Sequence, residues 1–148
     1  MRIDEDEAKV WALCERFRAC MLATLDGALI RARPLEPTCR REERKVLFLI
    51  GVEGHKDEEV ARDPHVCLIF MDAERNDYVS LTGEACVRND RVAIRELWRD
   101  GLKNWWEGPE DPRLRVLEVT PIDAQFWDRP PAPGGSHEIG KNRKVAMR

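Results

Sequence analysis

Residues 21–35 read MLATLDGALIRARPL, and this stretch decides the fold. Two strand-like runs, 21–25 and 28–35, flank Asp26-Gly27. Asp-Gly between such runs is the strongest short-range hairpin signal, because the tight turn joining two antiparallel strands needs positive φ at its centre. An antiparallel β structure is therefore expected to begin here.

Working outward, residues 45–50 read as a further strand, 65–71 as a strand apolar on both faces, and 78–88 as a long strand. The run at 65–71 predicts a central strand buried on both sides. Gly83, in the middle of 78–88, suits a bulge or a barrel corner. Residues 114–119 form a last core strand, which 124–127 extend beyond Pro121.

Helices are few. Residues 4–19 carry Asp4 and Glu7 at capping-box spacing, and Val10, Leu13, Cys14 and Phe17 on one apolar stripe. Residues 56–62 are helical and charged, stopped by Asp63-Pro64, and 90–98 are helical with Asp90 as the cap. The expected fold is mainly β with flanking α: a six-stranded antiparallel small barrel with an N-terminal helix and two or three short helices. Residues 1–128 form this domain. Residues 129–148, rich in Pro, Gly and basic side chains, form a tail that is mobile or docks on a partner.

Composition excludes several function classes. The 148 residues carry a net charge of −3, which offers no general attraction to nucleic acid or anionic lipid. No apolar run approaches the length of a membrane span, and the start, MRIDEDE, is acidic where a targeting peptide is basic. The five cysteines form no CxxC pair, so free thiols in a reducing cytoplasm are expected, without disulfides or metal. The three histidines have no metal-ligand spacing, and no nucleophile–base pair is suggested.

Two places could carry chemistry. Arg31 and Arg33 lie two apart on a strand and share a face, where two guanidinium forks suit an anion such as phosphate. The alternative for residue types alone is a pair of solvated surface arginines. The second place is Gly51-Val52-Glu53-Gly54-His55-Lys56, a strand-to-helix turn with glycines and a lysine beside it. Trp98, Trp105, Trp106 and Trp127 crowd the last third, as core, subunit interface or a wall for an aromatic ligand.

Taken in order, these segments resemble the general stress protein 26 family, a branch of the pyridoxamine-5'-phosphate-oxidase-like split barrels. The resemblance rests on Met21 to Gly27, Arg31 to Leu35, Val46 to Leu49, Lys56, Asp63-Pro64-His65-Val66, Asp77 to Gly83, Glu96-Leu97-Trp98, Trp105-Trp106, Asp111-Pro112 and Phe126-Trp127-Asp128. It implies a Greek-key split barrel forming a homodimer, with the flavin cofactor FMN at the subunit interface. Carried over, Arg33 grips the FMN phosphate with Lys56, Arg31 and His55 are lesser partners, and Leu49, Ile50 and Tyr78 face the flavin. Family members often carry Thr where this chain has Ile50 and Ser where it has Gly54, so two hydroxyl donors are missing. The implied activity is flavin-dependent redox chemistry, performed by the cofactor on an unassigned substrate. Pyridoxamine-phosphate oxidation is not expected, since the longer C-terminal substrate region of those oxidases is absent. The alternatives are a non-catalytic holder of flavin, deazaflavin or haem, and a cofactor-free interaction protein.

Overall fold

Strand β1 (Cys20–Asp26) runs antiparallel to β2 (Leu29–Leu35), and Asp26 pairs directly with Leu29. The two-residue loop is therefore Gly27-Ala28, one position later than Asp-Gly in the sequence reading. Gly27 has φ +62° and Ala28 stays at negative φ, so the turn needs glycine only at its first central position. The rest of the computed structural model follows from this hairpin. It describes residues 5–54, 56–127 and 143–147, and for 54, 56–58 and 143 the backbone only.

The remaining strands are β3 (Thr38–Arg40), β4 (Lys45–Gly51), β5 (His65–Asp72), β6 (Asp77–Arg88), β7 (Leu114–Trp127) and β8 (Arg143–Ala146). They join one antiparallel sheet in the order β2-β1-β5-β6-β7-β4-β3, with β8 added to β7. The described residues thus form eight strands where six were expected. The two extra ones, β3 and β8, span three and four residues and are too short to show a period. β8 lies inside the stretch expected to be a tail without regular structure. It is held because Val145 and Met147 are both buried against the core.

β5–β6–β7 is a meander, and β4 crosses to the far edge of β7. Leu22, Leu68, Phe70, Leu81, Leu117 and Phe126 fill the interior, none more than 2% exposed. Helix α1 (Glu5–Glu15) packs on β3, β6 and β8 and buries Val10, Trp11, Leu13 and Cys14. α2 (Lys56–Arg62) lies against β1 and β6, and α3 (Arg91–Leu97) against β4 and β7. Asp90 caps α3 by accepting the amide of Ala93 at 3.1 Å, as its position in the sequence predicts.

β5 sits in the middle of the sheet but is not buried on both faces. Val66, Leu68 and Phe70 point inward, whereas Ile69 is 39% and Met71 68% exposed. Met21 on β1 pairs with Ile69 and also lies on this outer face. Among the described residues nothing of the chain's own core covers this apolar face.

The β6–β7 register slips between Thr82 and Gly83, leaving Ile122 as the extra residue of a bulge. A Cβ on Gly83 would stand 2.7 Å from Val119 Cγ1 and 2.8 Å from the Thr120 carbonyl oxygen. The backbone cannot retreat without breaking both ladders. Gly83→Ala is expected to cost about 1–3 kcal/mol. Thermal melts should show a fall of roughly 3–10 °C, and an unchanged melting point would mean the bulge yields freely.

Candidate functional site

The residue pattern of β2 turns its two arginines toward different partners. Arg33 pairs across the ladder with Leu22 and Arg31 with Thr24, so both start on the inward face at the sheet edge. Arg31 stays at the surface, 54% exposed, with Nε 3.2 Å from Asp26. Such an exposed pair contributes little. Arg33 turns inward to α2, where its Nη2 donates to Glu59 Oε2 at 2.9 Å. The Thr24 hydroxyl donates to the same carboxylate oxygen at 2.5 Å. Arg33 and Glu59 are 21% and 14% exposed, and Thr24 is buried. Arg33 Nη1 is also buried and has no hydrogen-bond partner among the described residues. A buried donor left unpaired costs free energy, so Nη1 marks a place for an acceptor.

The other candidates divide. Lys56 opens α2, one turn before Glu59; its side chain and the whole of His55 lie outside the described residues. Successive strand residues face opposite sides, so the side chains of Leu49 and Ile50 point apart. Ile50 is 2% exposed in the barrel core, while Leu49 packs outward near Leu97, Trp98 and Trp106. Tyr78 is half-buried on the outer sheet face, paired with Met71 and Trp127, and does not line the cleft described next.

That cleft, of about 710 Å³, is bounded by Pro34–Thr38, Leu49, the end of α3 and the segment from Leu102 to Trp106. Its size lies within the range of small-molecule sites. Leu49, Leu97 and Trp106 give it an apolar wall, and Trp105 stands 73% exposed beside it. Charges ring its mouth. Glu36 meets Arg99 and, at 3.7 Å, Arg18, while Glu96 meets Arg40 at 2.8 Å. Leu49 meets the end of β2, Pro34 and Leu35, at this cleft, whereas Arg33 turns to Glu59 and does not line it.

Residues that the sequence reading missed hold the cleft in shape. Asp111 is 3% exposed and accepts the amides of Glu107 at 3.0 Å and Arg113 at 2.9 Å. Its carboxylate also takes Nε and Nη2 of Arg113 at 3.1 and 2.8 Å. These side-chain bonds, followed by the amide bonds, hold its carboxyl well below the usual carboxylate range. Arg91 ties α3 to this loop through the carbonyls of Asp111 and Leu114 at 2.9 and 3.2 Å. In the sequence 108–112 reads as a turn and Asp111-Pro112 enters only through the family resemblance, with nothing that gives Asp111 this anchoring part.

All five cysteines are free. Burial, aided by the neighbouring Cys39, pushes the Cys20 thiol up to about 12; burial and Glu15 do the same for Cys39. Both stay protonated near neutral pH and supply no thiolate nucleophile. No group of three His, Cys, Asp or Glu side chains among the described residues could hold a metal ion, and no described helix is long and apolar enough to cross a membrane.

Residues 5–139 match the family model described as pyridoxamine 5'-phosphate oxidase like. General stress protein 26 of Bacillus subtilis is 35% identical over 79 residues, covering 51% of this chain and 56% of that protein. The chain spans about half the length of the curated relatives it matches. Among solved structures, a protein related to general stress protein 26 from Clostridium acetobutylicum superposes with a TM-score of 0.78 at 19% identity, covering 98% of this chain and 97% of that one. The general stress FMN/FAD binding protein of Xanthomonas citri gives a TM-score of 0.71 at 22% identity, covering 89% and 95%. With the family model covering most of its length and its eight-stranded sheet folding as those barrels do, this chain belongs to the pyridoxamine 5'-phosphate oxidase-like family.

Proposed function

We propose that the protein is an FMN-binding homodimer of the general stress protein type, working in a reducing cytoplasm. The observation that carries the reading is Arg33 Nη1, a buried guanidinium nitrogen without a partner among the described residues, on the strand whose Pro34 and Leu35 line the cleft. A phosphate oxygen is the acceptor to which such an N–H donates most strongly. Lys56, one helical turn from the Glu59 that holds Arg33, would supply the second cation, and Arg31 and His55 lesser ones. Leu49 and the indole of Trp106 would pack on the flavin ring. When bound, the flavin supplies two-electron redox chemistry; the chain's own residues bind it, orient it and exclude water. Titrating the protein with FMN and following the visible spectrum tests the reading. Saturable binding at tens of micromolar or below supports it, and none would favour the cofactor-free interaction protein. Ile50, buried without a hydroxyl, is the observation on the side of that second reading.

The second copy follows from the outer sheet face. Met21, Ile69 and Met71 are 37%, 39% and 68% exposed on adjoining central strands, an apolar area that a monomer has no use for. A two-fold contact there would cover β5 on its second face. Sedimentation at micromolar concentration is expected to give twice the chain mass. Met71→Asp should weaken association about thirtyfold or more. A monomeric wild type would remove both the interface and the shared site.

A further inference from the structure

Glu59 stands against the one guanidinium on which the flavin reading depends. We propose that Glu59 is an internal counter-ion that sets the anion selectivity of the Arg33 site; the inference rests on the reading above. Glu59 and Arg33 form a pair of zero net charge in which neither side chain is more than 21% exposed. Glu59 is not a stray surface carboxylate. Its Oε2 takes both the Arg33 Nη2 bond at 2.9 Å and the Thr24 hydroxyl at 2.5 Å, from two neighbouring strands. Thr24 is 2% exposed, so the hydroxyl fixes the carboxylate from inside the barrel.

A guanidinium carries five donors, and this geometry uses one. Nη1, buried and unpartnered among the described residues, is left for a ligand. An anion bound there lies across one guanidinium from Glu59, too near to escape its charge. It gains a hydrogen bond but meets a cation already neutralised. The arrangement admits a phosphate yet opposes the second negative charge of a dianion. Glu59 thereby lowers the preference of the site for FMN over riboflavin, which is the same ring system without phosphate.

Glu59→Gln keeps the side chain's size and an oxygen for Thr24 and Arg33 while removing the charge. FMN affinity should rise on the order of tenfold, with riboflavin affinity unchanged. In an Arg33→Met background the same change should do little, because the group whose charge is opposed is gone. Thr24→Val, which frees the carboxylate, should give a smaller gain in the same direction and serves if Glu59→Gln does not fold. FMN affinity that is unchanged or weaker in folded Glu59→Gln would overturn the proposal, making Glu59 a holder of Arg33. If neither wild type nor Glu59→Gln binds FMN, the flavin reading fails on its own. Inorganic pyrophosphate then decides the present inference. Thermal stabilisation larger in Glu59→Gln than in wild type and absent in Arg33→Met would sustain it, and no difference would overturn it.

Discussion

Arg33→Ala is expected to weaken FMN binding about ten- to a hundredfold and to leave riboflavin binding nearly unchanged. The magnitude is that of one or two charge-assisted hydrogen bonds to a phosphate from a side chain only 21% exposed. The selectivity of the loss is the informative part. Arg33 also pairs with Glu59, so its removal leaves a carboxylate 14% exposed, with only the Thr24 hydroxyl donating to it among the described residues. That structural injury would harm both ligands alike, since both share the ring. A loss confined to FMN can come only from the phosphate. Lys56→Ala should show the same selectivity, because α2 presents residue 56 one turn from Glu59. Fluorescence titrations of the three proteins with the two ligands, beside thermal melts, make the comparison. Equal losses for FMN and riboflavin would assign Arg33 to folding and end its role in phosphate recognition.

The sequence made the hairpin at 20–35 legible because alternation and Asp-Gly act locally, and only the turn's position moved by one residue. The bulge at Gly83 was legible for a similar reason: a lone glycine inside a long apolar strand has few other uses. β5 shows where such reasoning ends. A run apolar on both faces says that both faces are covered, but not whether the chain's own core or another molecule covers the second. β8 was hidden by composition, since two buried anchors, Val145 and Met147, stand in a stretch otherwise basic and rich in Pro and Gly. At the site, Arg33 could be singled out as a cation on an apolar strand. Glu59 could not, because its contact spans 26 residues and the neighbouring Asp57 and Glu58 look the same in sequence. Leu49 and Ile50 were paired by resemblance, and the strand's twofold period separates them. Local periodicity fixes elements; the partner a charge selects is fixed by the packing of those elements.

The largest loss of stability is expected from a residue outside the stripe read on α1. That stripe took Val10, Leu13, Cys14 and Phe17, yet Trp11 is 0% exposed and is the largest of the fully buried side chains. The helix stops at Glu15, so Phe17 leaves the stripe and instead meets Phe70 edge-on at 5.5 Å. Trp11 broadens the buried face of a helix that packs on β3, β6 and β8 together. Trp11→Ala should cost about 3–5 kcal/mol, a large share of the roughly 5–15 kcal/mol that holds a domain folded. The melting temperature should fall by roughly 10–20 °C. Trp11→Phe separates ring volume from polarity. The indole Nε1 is buried with no hydrogen-bond partner among the described residues, so phenylalanine removes an unsatisfied donor while leaving a modest cavity. Those two effects oppose each other, and the net cost should stay below about 1.5 kcal/mol. Denaturant melts of the two variants give the comparison. Near-equal losses would mean that Nε1 is satisfied in solution and that the indole's polar edge, not its volume, anchors α1 to the barrel.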